Sequence, residues 1–285
     1  MDIRFLESLI AVVDAGSIAG AARLQGLTPA AISQRIQALE RYLDCELLLR
    51  SAHAARPTEN CLNLIPRARK LVKEAEALKG DIDLSGLSGS LRLGAISTAL
   101  TGILPPVLHK LAKKAPGIKP YITPGTSQML YDELRSDNLD AAIMVAPSFE
   151  APKSLDFQIL REEPLLLLSK DNTSRSIEEL LSTEPYICYD SKSWGGRIAA
   201  QYIVDNRLSP EVLFELDALE TIQILVEKGL GVSLVPLWQE MASRSNGLTF
   251  HQIEDPRYIR KIVLVTGKQP RQPKIIETLK NACCA

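Results

Sequence analysis

Through its first eighty positions the chain carries apolar residues at helical spacing. Phe5, Leu9, Val12 and Val13 predict a helix over about 3–15, with Gly16 as its C-terminal stop. Ser17 can cap a short alanine-rich helix from Ile18 to Leu24, and Gln25-Gly26 makes a tight turn. LTPAAISQRIQALE, residues 27–40, then opens a third helix. Thr28 is its N-cap, Pro29 sits where a missing N–H costs nothing, and Leu27 can staple onto Ile32. Ile32, Ile36, Leu39 and Leu43 form the inward stripe. The outward face holds Ala30, Ser33, Gln34, Gln37 and Arg41, small and amide side chains where a solvated helix more often shows Glu and Lys. Two short helices joined by a Gly-containing turn predict a helix-turn-helix. The second helix of that motif lies in a DNA major groove. There Ala30 allows close approach and can touch a thymine methyl, while Ser33, Gln34 and Gln37 can bond base edges. Arg41 falls where a phosphate would be. A solvated three-helix unit without a ligand is the alternative reading of the same residues.

Leu47–Leu49 predict a short strand or packed segment, followed by Arg50. The turn-like SAHAARPT carries His53 and Arg56 and is read as a wing along a DNA backbone, surface ion pairs being the other role for its arginines. Between residues 23 and 56 basic side chains outnumber acidic ones by two. Thr58 caps a helix running to about Lys79. Leu64, Ala68, Leu71, Ala75, Leu78 and Ile82 form a heptad seam along it, and a helix from a second copy is the expected partner. Pro66 predicts a bend rather than an end. LSGLSGS, residues 84–90, is a Gly/Ser-rich hinge. Beyond it strands and helices alternate. Strands are expected at 91–95, 120–123, 139–145, 165–169, 186–189, 212–216, 232–235 and 261–266. Helices are expected at 102–115, 127–136, 176–182, 195–206, 218–228, 236–244 and 273–282. Such alternation predicts parallel sheets in an α/β fold, and about 195 residues suit two lobes.

Composition narrows the function classes. The 285 residues suffice for about two domains. A net charge of −1 means that any basic site is local. No run approaches a membrane span, and the N-terminus, with Asp2, Glu7 and Asp14, has no cationic leader. Five cysteines at 45, 61, 188, 283 and 284 show no CxxC pair and no disulfide framework, so a cytoplasmic location is expected. His53, His109 and His251 are far apart, no GxSxG elbow or HExxH occurs, and Gly229-x-Gly231 lacks the third glycine of a dinucleotide site. No catalytic, metal or cofactor site is expected.

SIAGAARLQGLTPAAISQRIQALERYLDCELLLR resembles the N-terminal pattern of the LysR-type transcriptional regulators, with Ala21-Ala22, Ala31-Ile32-Ser33, Ile36 and Leu39-Glu40 in place. LNLIPRARKLV resembles the start of that family's long dimer helix. ILPPVLHKLAKKAPGI, ELRSDNLDAAIMV, EEPLLLLSKDN and VEKGLGVSLVP resemble its C-terminal landmarks in order. Four features depart from the pattern: Asp44 where glycine is usual, Leu49 where phenylalanine is usual, Asn60-Cys61, and a wing without paired basic residues.

The resemblance implies an N-terminal winged helix-turn-helix domain over 1–58, a dimerisation helix over 59–84, a hinge over 85–90 and a two-lobed effector domain over 91–285 resembling periplasmic solute-binding proteins. Lobe I would take about 91–146 and 267–285, and lobe II about 147–266, with crossing strands near Val145–Pro147 and Val265–Gly267. It implies a homodimer or homotetramer on a double-stranded DNA operator, responding to a small-molecule effector, with RNA polymerase as a further candidate partner. Carried onto this chain, the DNA-contacting set is Ser17, Thr28, Pro29, Ala30, Ser33, Gln34, Arg35, Gln37, Arg41, Arg50, His53 and Arg56. Effector contacts belong beyond strand ends, where helix N-termini favour an anion. They are Ile96, Ser97, Thr98, Thr101, Gly125, Thr126, Ser127, Ser193, Trp194, Arg197 and Thr221, Trp194 as a stacking surface and Arg197 as a charge partner. Helix capping is the alternative role for each hydroxyl. A solute-binding protein is the rival for residues 88–285, excluded if the first 58 bind DNA, and a cysteine redox switch is a third reading.

Overall fold

The computed structural model describes residues 2–50, 55–81, 86–150, 152–170, 175–239, 241 and 247–284. Two compact units divide the chain, 1–84 and 85–285.

In the first unit, α1 (Ile3–Ala15), α2 (Ile18–Gln25) and α3 (Pro29–Leu43) form where periodicity and caps place them. Gly16 and Gly26 end the first two helices in the left-handed conformation. Asp44 ends α3 the same way at φ 51°, taking without relief the conformation that a glycine adopts freely. Leu6, Leu9, Val12, Ile32, Ile36 and Leu39 make the core. Strands β1 (Leu48–Arg50) and β2 (Ala55–Pro57) pair antiparallel as a small wing. Glu40 ties that wing to α3, its carboxylate accepting from the Leu47 and Leu48 amides at 2.9 and 3.2 Å.

Helix α4 (Glu59–Asp81) starts from Thr58, whose hydroxyl accepts from the Cys61 amide, and runs on through Pro66. Its heptad seam divides. Leu64 and Ala68 pack into the core of their own unit, an intramolecular partner in α1 that the sequence did not suggest. Leu71 and Leu78 stay 42% and 62% exposed. Ile82 lies outside the described residues.

The second unit begins with β3 (Gly89–Ala95), which takes in Gly89 and Ser90 of the expected hinge. It continues α5 (Ser97–Thr101), α6 (Leu104–Lys114), β4 (Ile118–Pro124), α7 (Ser127–Arg135), β5 (Ala141–Val145) and β6 (Leu155–Ser169). Then follow α8 (Ile177–Thr183), β7 (Tyr186–Tyr189), α9 (Gly196–Asp205), β8 (Val212–Leu216), α10 (Leu219–Glu227) and β9 (Ser233–Pro236). The last elements are β10 (Thr249–Gln252), β11 (Ile259–Gly267) and α11 (Pro273–Cys283).

The sheets are mixed, which corrects the all-parallel expectation. β4, β3 and β5 are parallel, but β11 runs antiparallel to β5, and the first half of β6 antiparallel to β11. The second half of β6 pairs antiparallel with β9 and β10. Parallel β7 and β8 join that sheet through a bridge between Tyr186 and Val232. Thus β6 and β11 belong to both lobes, and the lobes change over near residues 161–164 and 259–262, where β11 leaves β5 and β6 leaves the first sheet. The expected crossings at Val145–Pro147 and Val265–Gly267 are therefore displaced: Val145 ends β5, and Val265 still pairs with Ala142 and Phe157 inside lobe I. The helix expected over 102–115 is α6, and a short unexpected helix, α5, precedes it. In the helix expected over 236–244, Pro236 instead ends β9, and residues 240 and 242–246 lie outside the described set.

The LLLL run of β6 shows why lobe II needs cover on both faces. Leu165 and Leu167 pack with α8 and α9, Leu166 and Leu168 with α10, because alternate side chains face opposite ways.

Candidate functional site

On α3 the residues Thr28, Pro29, Ala30, Gln34, Gln37 and Arg41 are exposed and Ser33 half-exposed. Thr28 caps the helix, accepting from the Ala31 amide at 3.2 Å, and Ser17 caps α2, accepting from Gly20 at 3.1 Å. At about 100° per residue, positions 30, 33, 34, 37 and 41 share one face. Arg35 does not: it stands roughly 140° round from Ala30. Its guanidinium donates to Ser8 Oγ at 3.1 Å, and Ser8, fully buried, donates to Gln25 at 2.9 Å. Arg35 is thus engaged in joining α1, α2 and α3, a correction to its place among groove-facing residues. Arg56 is exposed on β2, across the ladder from Leu49. Arg50 ends β1 opposite Ala55, and His53 lies outside the described residues.

In the second unit a cleft of about 620 Å³ opens between the lobes. Lobe I contributes Ile96, Ser97, Thr98, Gly125, Thr126 and Ser127 from the starts of α5 and α7; lobe II contributes Ser193, Trp194 and Arg197 from the start of α9. Thr126 caps α7, while Thr98 and Ser127 are held by groups outside their own helices, and each of these contacts uses only the hydroxyl oxygen. Thr126 Oγ1 accepts from the Met129 amide (3.3 Å), Ser127 Oγ from the Val145 amide (3.1 Å), and Thr98 Oγ1 from Arg260 (3.3 Å). A hydroxyl that has accepted still carries a proton to donate.

Two expected contacts fall away. Residues 97–101 are themselves helical, so Thr101 closes that helix, its hydroxyl donating to the Thr98 carbonyl at 3.4 Å. Thr221 is exposed on the back of α10, and Asp217, Ala218 and Leu219 line the cleft instead. Trp194 lines the cleft but is no open platform. It is only 7% exposed; its ring meets Tyr131 and Phe149 of lobe I, both at 5.6 Å between centroids, and its N–H donates to Gln128 at 3.2 Å. It is a contact between lobes.

The cleft floor was missed in the sequence. Arg260, on β11, is 2% exposed and paired across the ladder with Glu163, on β6, 4% exposed. The guanidinium reaches Glu163 Oε2 from Nε at 2.7 Å and from Nη2 at 2.5 Å, and also faces Thr98 of lobe I and Tyr189 of lobe II. Burial pushes the Tyr189 phenol up, with Arg260 opposing. Burial likewise raises the half-buried Asp217 carboxyl, against the hydrogen bond from Ser193. A larger groove of about 970 Å³ lies elsewhere in this unit, but charged groups lining it pair with each other, Arg92 with Asp140 and Arg271 with Asp137.

Burial pushes Cys61, Cys188 and Cys283 up to about 11, the reverse of the depressed value that makes a thiol reactive. Among the described residues no group of metal-ligating side chains gathers, and no helix is long and apolar enough to cross a membrane.

A winged helix-turn-helix unit followed by a two-lobed cleft unit defines a class of ligand-responsive DNA-binding proteins. Comparison with known proteins places the chain within it. The model of the LysR substrate binding domain matches residues 84–284, and that of the bacterial regulatory helix-turn-helix protein, lysR family, matches residues 3–62. The chain belongs to the LysR family of transcriptional regulators, which are not enzymes. The nitrogen assimilation regulatory protein nac of Klebsiella aerogenes is 26% identical over 250 residues, 86% of this chain and 80% of that protein. Among solved structures, full-length CbnR complexed with its target DNA superposes with a TM-score of 0.71 at 19% identity, covering 99% of this chain and all of that one. A full-length OxyR variant from Pseudomonas aeruginosa gives 0.69 at 24%, covering 99% and 94%. These likenesses carry the fold of both units.

Proposed function

We propose that α3 enters the major groove with Ala30, Ser33, Gln34 and Gln37 at base edges, while Thr28, Pro29 and Arg41, with Ser17, Arg50 and Arg56, track the phosphates. Two copies joined along the Leu71–Leu78 half of α4, alone or as a pair of dimers, would set two α3 helices about 34 Å apart in successive grooves. The small-molecule effector binds between the lobes, an anionic group on the hydroxyl donors of lobe I. By changing how the lobes close it changes how the copies pack, and through that the bending or spacing of the operator, with RNA polymerase a partner at the promoter in a cytoplasmic setting.

The observation that carries the reading is the exposed face of α3. It has the size and hydrogen-bonding pattern of a base-reading surface and lacks the carboxylates that a groove would repel. Operators selected from genomic fragments by the purified chain supply the test. Gln34→Ala should cost 1–3 kcal/mol or so on a selected operator and little on random duplex, whereas Arg56→Ala should weaken both and lower the salt slope by about one. Equal losses on both duplexes for Gln34→Ala would remove it from base readout.

A further inference from the structure

The two walls of the cleft carry opposite chemistry. On lobe I, Thr98, Thr126 and Ser127 each accept a hydrogen bond from within the protein, and no described group accepts their hydroxyl protons. That wall donates. On lobe II, Asp217 lines the same cleft, half-buried, as does Ser193. No cation forms an ion pair with Asp217 among the described residues. Arg260, whose charge acts on Asp217, already has Glu163 at 2.5 Å, and Asp190 adds a second negative charge to the cleft. Lys192 and Arg197 stand exposed at the rim. Burying a carboxylate without an ion-pair partner is costly, and a cationic group on a ligand would offset that cost. Between the walls lie apolar surfaces from Ile96, Leu100, Pro124 and Leu219, room for a hydrocarbon body.

We propose that the cleft takes an amino-acid-like zwitterion, its carboxylate on the lobe I hydroxyls and its ammonium on Asp217. This rests on the cleft reading above and sharpens it, because a simple anion would leave Asp217 unmatched and repelling. Asp217 is then the residue that separates an amino acid from the corresponding acid without the amino group.

The test uses the full chain and three sets of probes: the standard L-amino acids, the carboxylic acids that lack only the amino group, and the amines that lack only the carboxylate. Thermal unfolding followed by calorimetric titration finds the binders. Two variants accompany the native protein. Asp217→Asn removes the charge and keeps a hydrogen-bonding side chain. Thr126→Asp keeps the helix cap, since Asp caps as well as Thr, and puts a negative charge where the ligand carboxylate would sit. At least one amino acid should bind, its deaminated and decarboxylated twins about tenfold more weakly or worse. Asp217→Asn should cost the amino acid about tenfold and leave the deaminated acid as it was. Thr126→Asp should abolish both. A deaminated acid that binds the native chain as tightly as its amino acid overturns the zwitterion while leaving an anion cleft, as does amino-acid binding indifferent to Asp217→Asn but lost in Thr126→Asp. Absence of any amino-acid binding up to about 10 mM also overturns it. Binding that survives both variants removes the cleft reading itself.

Discussion

Glu163→Gln isolates the buried pair at the cleft floor. Arg260 is almost wholly out of water, and among the described residues the carboxylate of Glu163 is its one ion-pair partner within 4 Å; its hydrogen bonds to Thr98 Oγ1 at 3.3 Å and Tyr189 OH at 3.4 Å are long and neutral. The amide keeps the shape of the side chain and removes the charge, so a guanidinium is left desolvated against dipoles. Removing one member of a buried pair costs about 3–5 kcal/mol, and the near-isosteric amide recovers part of a hydrogen bond, so about 3 kcal/mol is expected. Both tryptophans, Trp194 and Trp238, lie in the second unit, so their fluorescence reports its unfolding without the first. With a urea m-value of roughly 2–3 kcal/mol/M for a unit of this size, the midpoint should fall by about 1–1.5 M. The double variant Glu163→Leu with Arg260→Met should recover most of the loss, since apolar replacement of a whole buried pair is often neutral. A single-variant loss below about 1 kcal/mol would show that water reaches Arg260 and that the floor is not sealed.

Three further outcomes follow from the same geometry. Trp194→Ala deletes two ring contacts and the hydrogen bond to Gln128 and should cost the second unit about 3 kcal/mol in urea unfolding followed by circular dichroism; a loss within experimental error would mean that the ring does not hold the lobes together. Leu71→Glu with Leu78→Glu should shift sedimentation towards the monomer and leave folding intact, both side chains being exposed in the single chain; unchanged sedimentation would move the interface elsewhere. Asp217, whose carboxyl is raised above 3.8 by burial, favours the folded state while protonated and disfavours it as pH rises through the raised value; Asp217→Asn should therefore raise the ligand-free thermal midpoint at pH 7, with the gain fading near pH 4, and a gain independent of pH would contradict the cause given.

The helical unit was readable because every signal there is local. Thr28, Pro29 and the Ile32–Leu43 stripe act within a few residues, and Gly16 and Gly26 fall at the helix ends. In the second unit the short strands were readable and the long crossing strands were not. Tyr186–Tyr189 and Val212–Leu216 appear at the expected bounds. Of β6 only Leu165–Ser169 is expected from the sequence, because its first half, LDFQILRE, is half-buried at the edge of the lobe I sheet and its apolar alternation breaks at Ile159-Leu160, where the ladder to β11 shifts register. Without that half, the chain reads as simple strand-helix alternation, and the antiparallel crossings cannot be seen.

The site divides by the same logic. Its walls showed in the sequence because hydroxyl side chains recur after successive strand ends, one local pattern repeated at Thr98, Thr126, Ser127 and Ser193. Its floor did not, because Arg260 and Glu163 are 97 residues apart and each stands beside a like charge that suggests a solvated edge, Lys261 next to one and Glu162 next to the other. Register decides the matter. Lys261 faces Glu162 and both are exposed, while one step along the ladder Arg260 faces Glu163 and both are buried. Period two turns a pair of adjacent charges into one surface bridge and one sealed hinge. The sealed member lies where the chain changes lobes, touching Thr98 on one side and Tyr189 on the other, so any opening of the cleft must stretch bonds made to a charge that has no water to turn to. Trp194 ties the same two lobes away from the floor through aromatic contacts, which yield more cheaply than a buried ion pair. Parting the lobes would therefore cost less at Trp194 than at Arg260.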